Sequence, residues 1–577
     1  MNVRSENSVP WKTFFLVSLL SILPIYLFGY WLPGRGEFLG LIRNSGDASQ
    51  YLALARQYQD HCLLVARNPF THEPHSPFMI QPFLSLIGLI CRITSLPCHV
   101  VYAIASVFLG TALLATAWQF CRVLFPRKSE SFWAWMFLTF TGGANSLLLV
   151  KHLLVGGYLI DGPYQPMVVD TNNLFNVLVG VPFRASFYIL IFKSWTMILQ
   201  MRLVVERSEE LDCGLSLPCP TDAEHKPDHT SVKRNRRSLL LAGSLLLIVG
   251  FCHAYDAPYL ILSLVVWTGL NIFFSQTSTR RERYRDGFFL LLCTVPWLIP
   301  PIVHALYVVT IHPVGRTIAE IPQPTPGLIP FLWWIHGLSS IGIILWLGFE
   351  VFQSPLRRER SRFLFAMFVA AVLLRSLPAH YAGRLAEPFD YIALLMGISG
   401  WFRLLRCRVF SKMLFSERRR NTFFCVLFLI SIPITVFCYA QRYIQIARPS
   451  FDRLIYHLQS SEMRMIEWID RNIESDEAIL ASRDVSLHIP RLTGCSVYVG
   501  HPVLTPDFYL KREFLSLFFD TKFARRDRET FLKKNGIRYV FYGQRERLLG
   551  NANLLLSPSF RVVHREGDTY LLEFADR

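Results

Sequence analysis

Long apolar segments recur along the chain and dominate its pattern of hydrophobic and polar positions. They occupy residues 13–32, 100–120, 132–150, 257–274, 288–309, 328–352 and 422–440. Each is about twenty residues long, which is the length that an α-helix needs to cross roughly 30 Å of hydrocarbon. The pattern therefore predicts a polytopic α-helical membrane protein.

The polar segments between these runs predict how the chain crosses the membrane. Basic clusters lie at 127–128, 233–237, 280–283, 357–360 and 418–420. Short loops with such an excess of Lys and Arg remain in the cytoplasm because positive charge resists translocation. With a cytoplasmic N-terminus, this rule gives about eleven transmembrane helices, outer loops at 33–98 and 151–182, and an outer tail. The predicted helices lie near 13–32, 99–124, 132–150, 183–203, 238–252, 257–275, 287–310, 328–352, 363–378, 389–403 and 421–440.

The first outer loop contains two predicted helical stretches that do not span the membrane. Apolar and aromatic side chains between Tyr51 and Tyr58 recur with a helical period. A second apolar piece follows at 79–91. At about 13 residues it is too short to span and is expected to lie in the membrane interface.

The pattern changes after residue 440. An amphipathic helix is predicted at 454–472, and β-rich runs then alternate with helical stretches, an order that favours βαβ units on a small parallel sheet. The predicted strands lie at 478–481, 496–499, 537–542, 560–564 and 569–574, the last two as a hairpin, and the helical stretches at 507–519 and 526–534. We expect a membrane bundle, residues 1–440, and a small C-terminal α/β domain, residues 441–577, on the extracytoplasmic side.

Composition and charge exclude several classes of function. Of the 577 residues, 52% are hydrophobic, and the mean hydropathy is +0.32. The net charge of +17 would favour nucleic-acid binding in a soluble protein, but the basic residues cluster beside apolar runs, so no nucleic-acid partner is expected. The twelve Cys residues form no CxxC pair or zinc spacing. Motifs for ATP, dinucleotides, zinc proteolysis and α/β-hydrolase chemistry are absent, so an enzyme of this kind would use an activated substrate.

Acidic residues in the outer loops are the first candidates for chemistry. Asp47 follows Ser45 and Gly46 at a predicted helix start, where it is either an N-cap or a general base for an acceptor hydroxyl. Asp161 and Asp170 in the second outer loop are either turn residues or the further carboxylates of a transfer or cation site.

Polar residues at the other outer loops form a second group of candidates. His253, Tyr255 and Asp256 join two apolar helices, where they satisfy helix ends or contact a substrate. Arg384 is predicted either to bind a phosphate or to pair with Glu387 one turn away. Arg316 is also a candidate for phosphate binding, although an exposed loop arginine needs no special role.

The layout resembles that of GT-C membrane glycosyltransferases, which include protein O-mannosyltransferases and bacterial aminoarabinose and mannosyl transferases. The likeness rests on residues 46–52 (GDASQYL) after the first helix, on the number of helices and on the outer tail. A second run in the tail, residues 496–502 with 539–543, resembles the outer domain of bacterial GT-C-like proteins.

The resemblance implies a glycosyltransferase that takes its sugar from a polyprenyl-phosphate or dolichyl-phosphate donor on the non-cytoplasmic side. It makes Asp47 the catalytic base, Asp161 or Asp170 the second acidic residue, and Arg384 a ligand of the donor phosphate. Many relatives have two adjacent acids in the first loop, whereas Gly46 and Ala48 flank Asp47, so neither a metal ion nor another cofactor is expected. His501 in the tail is interpreted as a turn residue after a strand rather than as part of an acceptor site.

Two functions of other classes remain as alternatives. A transporter would show an internal repeat and ionisable residues buried in the middle of the membrane, and neither is evident. A non-catalytic lipid-binding or assembly scaffold is opposed only by the acidic loop residues. The expected partners are the bilayer, a polyprenyl-phosphate-linked sugar and an acceptor that the sequence leaves open. The tail's likeness favours a bacterial inner membrane.

Overall fold

The computed structural model describes the chain in segments separated by gaps. The described residues are 9–32, 36–42, 44–61, 64–141, 174–180, 182–212, 229–275, 279–320, 338–352, 356, 358–377, 384–407, 416–447, 456–550 and 553–575. Helices account for most of these residues, and the strands are short.

Most of the described residues up to 447 lie in α-helices. In chain order they are α1 (Trp11–Trp31), α2 (Ser45–His61), α3 (Pro82–Thr94), α4 (Cys98–Leu124), α5 (Lys128–Phe140), α6 (Leu174–Gly180), α7 (Pro182–Asp212), α8 (His229–Cys252), α9 (Asp256–Phe274), α10 (Arg280–Thr294), α11 (Ile299–Thr310), α12 (Pro313–Ala319), α13 (Leu338–Phe352), α14 (Glu359–Arg375), α15 (Phe389–Arg406), α16 (Glu417–Ser431) and α17 (Pro433–Ala447). Six described stretches are long and apolar enough to cross a membrane: Trp11–Trp31, Cys98–Leu124, Pro182–Val204, Asp256–Phe274, Arg281–Thr310 and Glu417–Ala447. The prediction of a multi-pass helical membrane protein is confirmed.

Each predicted membrane segment contains a described helix, but two of the segments are divided by proline. The segment predicted at 287–310 is interrupted by a 3-10 turn at Val295–Leu298, where Pro296 has no N–H for an α-helical hydrogen bond. Pro433 likewise begins α17 directly after α16 ends. The segment predicted at 132–150 is helical to Phe140, and its second half lies outside the described residues.

Glycines allow α13 and α15 to cross at backbone contact. A methyl group built on Gly342 would overlap the backbone of Gly397, and one built on Gly400 would overlap that of Gly342. Small residues permit such close approach of membrane helices, where dispersion contacts replace the hydrophobic effect as the driving force. The two helices that cross here also border the arginine-lined cavity described below.

The tail, residues 456–575, contains a five-stranded sheet. Its strands are β3 (Ala478–Leu480), β4 (Ser496–Val497), β5 (Tyr539–Tyr542), β6 (Phe560–Glu566) and β7 (Thr569–Phe574), in the order β4-β3-β5-β7-β6. The helices of the tail are α18 (Ser460–Asn472), α19 (Arg483–Ser486), α20 (Ile489–Thr493), α21 (Phe508–Phe518), α22 (Arg525–Lys534) and α23 (Gln544–Gly550). The predicted strands are present, but the sheet is mixed: β3 pairs in parallel with β4 and β5, whereas β7 is antiparallel to β5 and β6. The predicted hairpin forms β6 and β7, and Gly567 supplies the positive φ at its turn.

The first loop, residues 36–97 between α1 and α4, is interlocked with the tail. β1 (Glu37–Phe38) pairs with β2 (His457–Leu458) in an antiparallel ladder. Farther along the loop, Asn68 Nδ2 donates to Leu504 O at 2.6 Å, and Phe70 O accepts from Thr505 Oγ1 at 3.0 Å. These contacts hold α2, which carries Asp47, against the turn that follows β4.

Candidate functional site

Asp47 lies in the first turn of α2, but it is not the residue that caps the helix. The capping position belongs to Asn44, whose left-handed backbone (φ 37°) is a conformation that Asn tolerates. Asn44 Oδ1 accepts from the Asp47 N–H at 3.4 Å, and Asn44 Nδ2 donates to Asp47 Oδ2 at 2.7 Å. The Asn44 side chain therefore orients the Asp47 carboxylate, which does not itself cap the helix.

His501 of the tail holds the other oxygen of this carboxylate. His501 Nε2 lies 3.1 Å from Asp47 Oδ1. His501 Nδ1 accepts from the Val503 N–H at 3.2 Å, which places the ring proton on Nε2, so that the imidazole donates to Asp47. The interpretation of His501 as a plain turn residue is incomplete, because the turn aims its ring at Asp47. His501 is 5% exposed, whereas 42% of the Asp47 side chain remains open to a ligand.

The turn that presents His501 is itself anchored in the first loop. Gly500 donates its N–H to Thr505 Oγ1 at 3.1 Å, and Thr505 N–H donates to His501 O at 2.9 Å. A Cβ on Gly500 would lie 2.6 Å from the ring of Phe70, so only glycine fits there. The position of the imidazole thus depends on both the tail and the first loop.

Two arginines from separate helices add positive charge beside Asp47. Burial by itself raises the pKa of this carboxyl, but the hydrogen bond from His501, together with the charges of Arg184 and Arg384, lowers the pKa below its ordinary value. Asp47 is therefore ionised at neutral pH. Arg384 and Arg184 are both half-buried.

Arg384 differs from the other arginines of this region in its partners. No carboxylate among the described residues lies within 4.0 Å of its guanidinium, including that of Glu387, which shares only a backbone hydrogen bond with it. Its charge nevertheless acts on both Asp47 and Glu387. A guanidinium in this position retains its donors for a planar or tetrahedral oxyanion.

A second polar group lies at the connection between α8 and α9. His253 Nδ1 is 3.0 Å from Asp256 Oδ2, and His253 Nε2 is 3.9 Å from Glu387 Oε2. Burial opposes the charged imidazole, but the two carboxylates prevail and raise the pKa of His253. For Glu387, burial raises the pKa, and the charges of Arg184, His253 and Arg384 outweigh it and lower the pKa. The outer ends of several helices therefore share one coupled network of charges.

Aromatic side chains of α7 pack against both Tyr51 of α2 and His253. Phe183 packs on Tyr51 with ring centroids 4.6 Å apart, and Phe187 stacks on His253 at 4.9 Å with an interplanar angle of 8°. These two residues are four apart, so they lie on one helix face, with Arg184 beside them. Burial raises the pKa of Tyr51, so its hydroxyl keeps its proton.

Comparison with known proteins identifies the fold. No protein-family model and no curated protein matches the chain. Among solved structures, an oligosaccharyltransferase of Archaeoglobus fulgidus tethered with an acceptor peptide matches 93% of this chain and 69% of its own, with a TM-score of 0.54 and 12% identity. The same archaeal enzyme with an inhibitory peptide and a dolichol-phosphate gives a TM-score of 0.52 at 11% identity, over 92% of this chain and 69% of that one. The mycobacterial arabinofuranosyltransferase AftD gives 0.52 at 11% identity, over 99% of this chain and 40% of that one. The chain has the GT-C fold.

Within the GT-C fold, most of the predicted site residues that the structure describes lie in one network of charges. Asp47, Arg384, Glu387, His253 and Asp256 belong to the coupled network above. Tyr255 is 37% exposed, and its ring lies edge-on to His253 at 5.7 Å.

Of three further predicted residues, one lies apart from this network and two fall outside the described residues. Arg316 pairs with Glu320 at 3.3 Å on an exposed face, one turn along the chain. Asp161 and Asp170 lie outside the described residues. Arg184 and the role of His501 were missed, because a single arginine at the start of a membrane helix and a histidine in a distant turn carry no local signal of chemistry.

The described part of the chain offers no group of three His, Cys, Asp or Glu side chains that are spaced to hold a metal ion. The chemistry available to the described residues is therefore that of an ionised carboxylate, an imidazole that donates to it, and guanidinium groups. Such a set suits the activation of a hydroxyl beside a phosphate.

Proposed function

We propose that this protein is a membrane glycosyltransferase that transfers a sugar from a polyprenyl-phosphate donor to an acceptor on the non-cytoplasmic side. The observation that carries the proposal is the half-exposed Asp47 carboxylate, which Asn44 and His501 orient and which two arginines flank. The GT-C fold supports a glycosyltransferase, and the archaeal structure with a dolichol-phosphate supports a lipid-phosphate donor.

In the proposed reaction, an acceptor hydroxyl approaches Asp47, and its oxygen attacks C1 of the donor sugar. The new C1–O bond forms as the bond between C1 and the phosphate oxygen breaks, with inversion at C1. The hydroxyl proton passes to Asp47, whose low pKa makes it a weak base. The proton transfer is therefore expected late in the reaction, when the attacking oxygen already carries positive charge.

The leaving polyprenyl phosphate needs a positive group, and Arg384 is the proposed one. Its guanidinium has no carboxylate partner within 4.0 Å among the described residues, and a charge-assisted contact to phosphate would satisfy its donors. The phosphate is a good leaving group, so no acid residue is required. The Tyr51 ring, which is only partly buried and is backed by Phe183, would then pack against the sugar. Either Asp161 or Asp170 remains the proposed second acid, and we expect no metal ion or other cofactor.

The pairing between β1 and β2 supports the proposed topology. β1 follows α1 directly and β2 follows α17, so the chain must cross the membrane an even number of times between them. Because α1 adds one crossing, the total is odd, which agrees with about eleven crossings and puts the N-terminus and the tail on opposite sides. The basic loops then favour a cytoplasmic N-terminus and an extracytoplasmic α/β tail.

A turnover assay tests this proposal. The purified protein is reconstituted in liposomes with radiolabelled polyprenyl-phosphate sugars, each supplied with a mixture of hydroxyl acceptors. Release of polyprenyl phosphate with transfer of the labelled sugar to an acceptor is the expected result. Movement of intact donor or sugar across the bilayer without bond cleavage would favour a transporter, and donor binding without either event would favour a scaffold.

A further inference from the structure

The end of the bundle opposite Asp47 contains a cavity with an excess of arginine. α4 begins next to the first loop and ends at this cavity, which therefore lies at the far end of the bundle. The cavity has a volume of about 310 Å³ and is enclosed by the end of α4, the start of α5, α13, the start of α14 and the last turns of α15. A cavity of this size holds a small ligand or a headgroup.

Positive charge in this cavity exceeds negative charge. Five arginines line it: Arg127, Arg358, Arg360, Arg403 and Arg406. Glu130 pairs with Arg127 and Arg406, and Glu350 pairs with Arg403. Among the described residues that line the cavity, Glu130 is the one carboxylate beside these five guanidinium groups.

A buried tryptophan of α13 packs beside the arginines of the cavity. Trp346 is fully buried and lines the cavity, and its indole Nε1 has no acceptor among the described residues. The guanidinium of Arg403 lies over the indole ring at 5.8 Å. The guanidinium groups that line the cavity match a phosphate oxyanion.

The surroundings of the cavity indicate where that phosphate comes from. Leu124, Phe125, Leu364 and Phe402 form its apolar wall. On the outer face of α13 nearby, Ile344 is 69% exposed, as is expected of a side chain that meets acyl chains. Basic pockets between membrane helices bind anionic lipid headgroups. We infer that this cavity binds the phosphate of an anionic phospholipid headgroup, at a site separate from that of the proposed sugar transfer.

Lipid retention measured by native mass spectrometry tests this inference. The protein is released from nanodiscs of phosphatidylcholine with or without phosphatidylglycerol. Arg358→Gln is the key variant, because Arg358 is exposed and forms no ion pair with a described residue, and Arg127→Gln is the second. Arg285→Gln is the control, because Arg285 is an exposed basic residue of α10 that lies outside the cavity.

We expect selective retention of phosphatidylglycerol by wild type and about fivefold weaker retention in each cavity variant, with no change in Arg285→Gln. Asp47→Asn should retain lipid like wild type, which separates this site from the transfer site. Equal retention in Arg358→Gln, Arg127→Gln and wild type would overturn the inference. In a further experiment, inorganic phosphate competes with the lipid for wild type and the same variants. Phosphate binding that depends on Arg358 and Arg127, without selective retention of phosphatidylglycerol, would show that the cavity binds a soluble phosphate and not a lipid headgroup.

Discussion

Replacement of His501 tests whether the tail takes part in the chemistry at Asp47. In His501→Ala the carboxylate loses the donor at 3.1 Å. A hydrogen bond to a charged group contributes about 1.5–3 kcal/mol when buried. Because 42% of the Asp47 side chain is exposed, we reduce this contribution to ~1 kcal/mol. Because this hydrogen bond holds the carboxylate in its reactive orientation, its loss corresponds to about a fivefold fall in kcat/KM, even though the carboxylate becomes more basic.

The pH profile distinguishes this effect from simple damage to the fold. The hydrogen bond from His501 lowers the pKa of Asp47, so its loss should raise that pKa. Activity requires the ionised carboxylate and is lost as the pH falls through the pKa of Asp47. The acidic limb of the kcat/KM profile should therefore move to higher pH in His501→Ala.

Two further variants provide the controls. His501→Gln retains a side-chain N–H donor and should recover most of the activity and the original acidic limb. His564→Gln removes a tail histidine that stacks on Trp468, away from Asp47, and should leave both unchanged. The reasoning is refuted if folded His501→Ala keeps wild-type kcat/KM with an unmoved acidic limb. It is equally refuted if His501→Gln loses as much as His501→Ala.

Three further predictions concern the phosphate, the charge network and the helix crossing. Arg384→Gln should raise the KM for the donor about tenfold in the turnover assay, because a charge-assisted contact to phosphate is lost. Arg316→Gln, which removes only an exposed pair with Glu320, should change it by less than about twofold; equal effects would contradict the role of Arg384. The pKa of His253 is raised above its ordinary 6.5, so the network stabilises the fold below that pH and loses this contribution as the pH rises through the folded-state pKa. Thermal unfolding should show this loss in wild type but not in His253→Gln, and parallel pH curves would count against it. Gly400→Ala places a methyl group in the backbone of Gly342 and should cost at least about 1–3 kcal/mol in stability. Gly269→Ala, where a methyl group meets nothing, is the matched control, and equal melting temperatures would disprove the crossing.

The membrane helices could be predicted because each residue in an apolar run carries the same local signal. The helical period from Tyr51 to Tyr58 and the Asp at its start likewise indicated α2, although Asn44 rather than Asp47 is the cap. The strands of the tail were also evident, because β-branched and aromatic residues alternate with turn residues. The mixed order of the sheet was not predicted, because pairing between β5 and β7 depends on tertiary packing.

The candidate site was predictable only in part, since it is assembled from distant segments. The contact between Asp47 and His501 joins residues that are 454 positions apart, and no local pattern encodes it. Arg184 occupies the first turn of a membrane helix, where sequence alone suggests only an end of a span. Its proximity to Asp47 follows from Phe183 and Phe187, which pack on Tyr51 and His253. The glycines of α13 and α15 did not predict a backbone crossing, because each one contacts a glycine of the other helix and the local sequence does not indicate that pairing.

The most direct test of the central claim is single-turnover transfer from a labelled polyprenyl-phosphate sugar by Asp47→Asn, with Asp60→Asn as the control. Asp60 lies on the same helix and pairs with Arg56 at 2.8 Å, away from the proposed site. If Asp47 is the catalytic base, Asp47→Asn should bind the donor normally and transfer sugar at least about a hundredfold more slowly than wild type, while Asp60→Asn transfers at the wild-type rate. Transfer by Asp47→Asn at the wild-type rate would contradict the account.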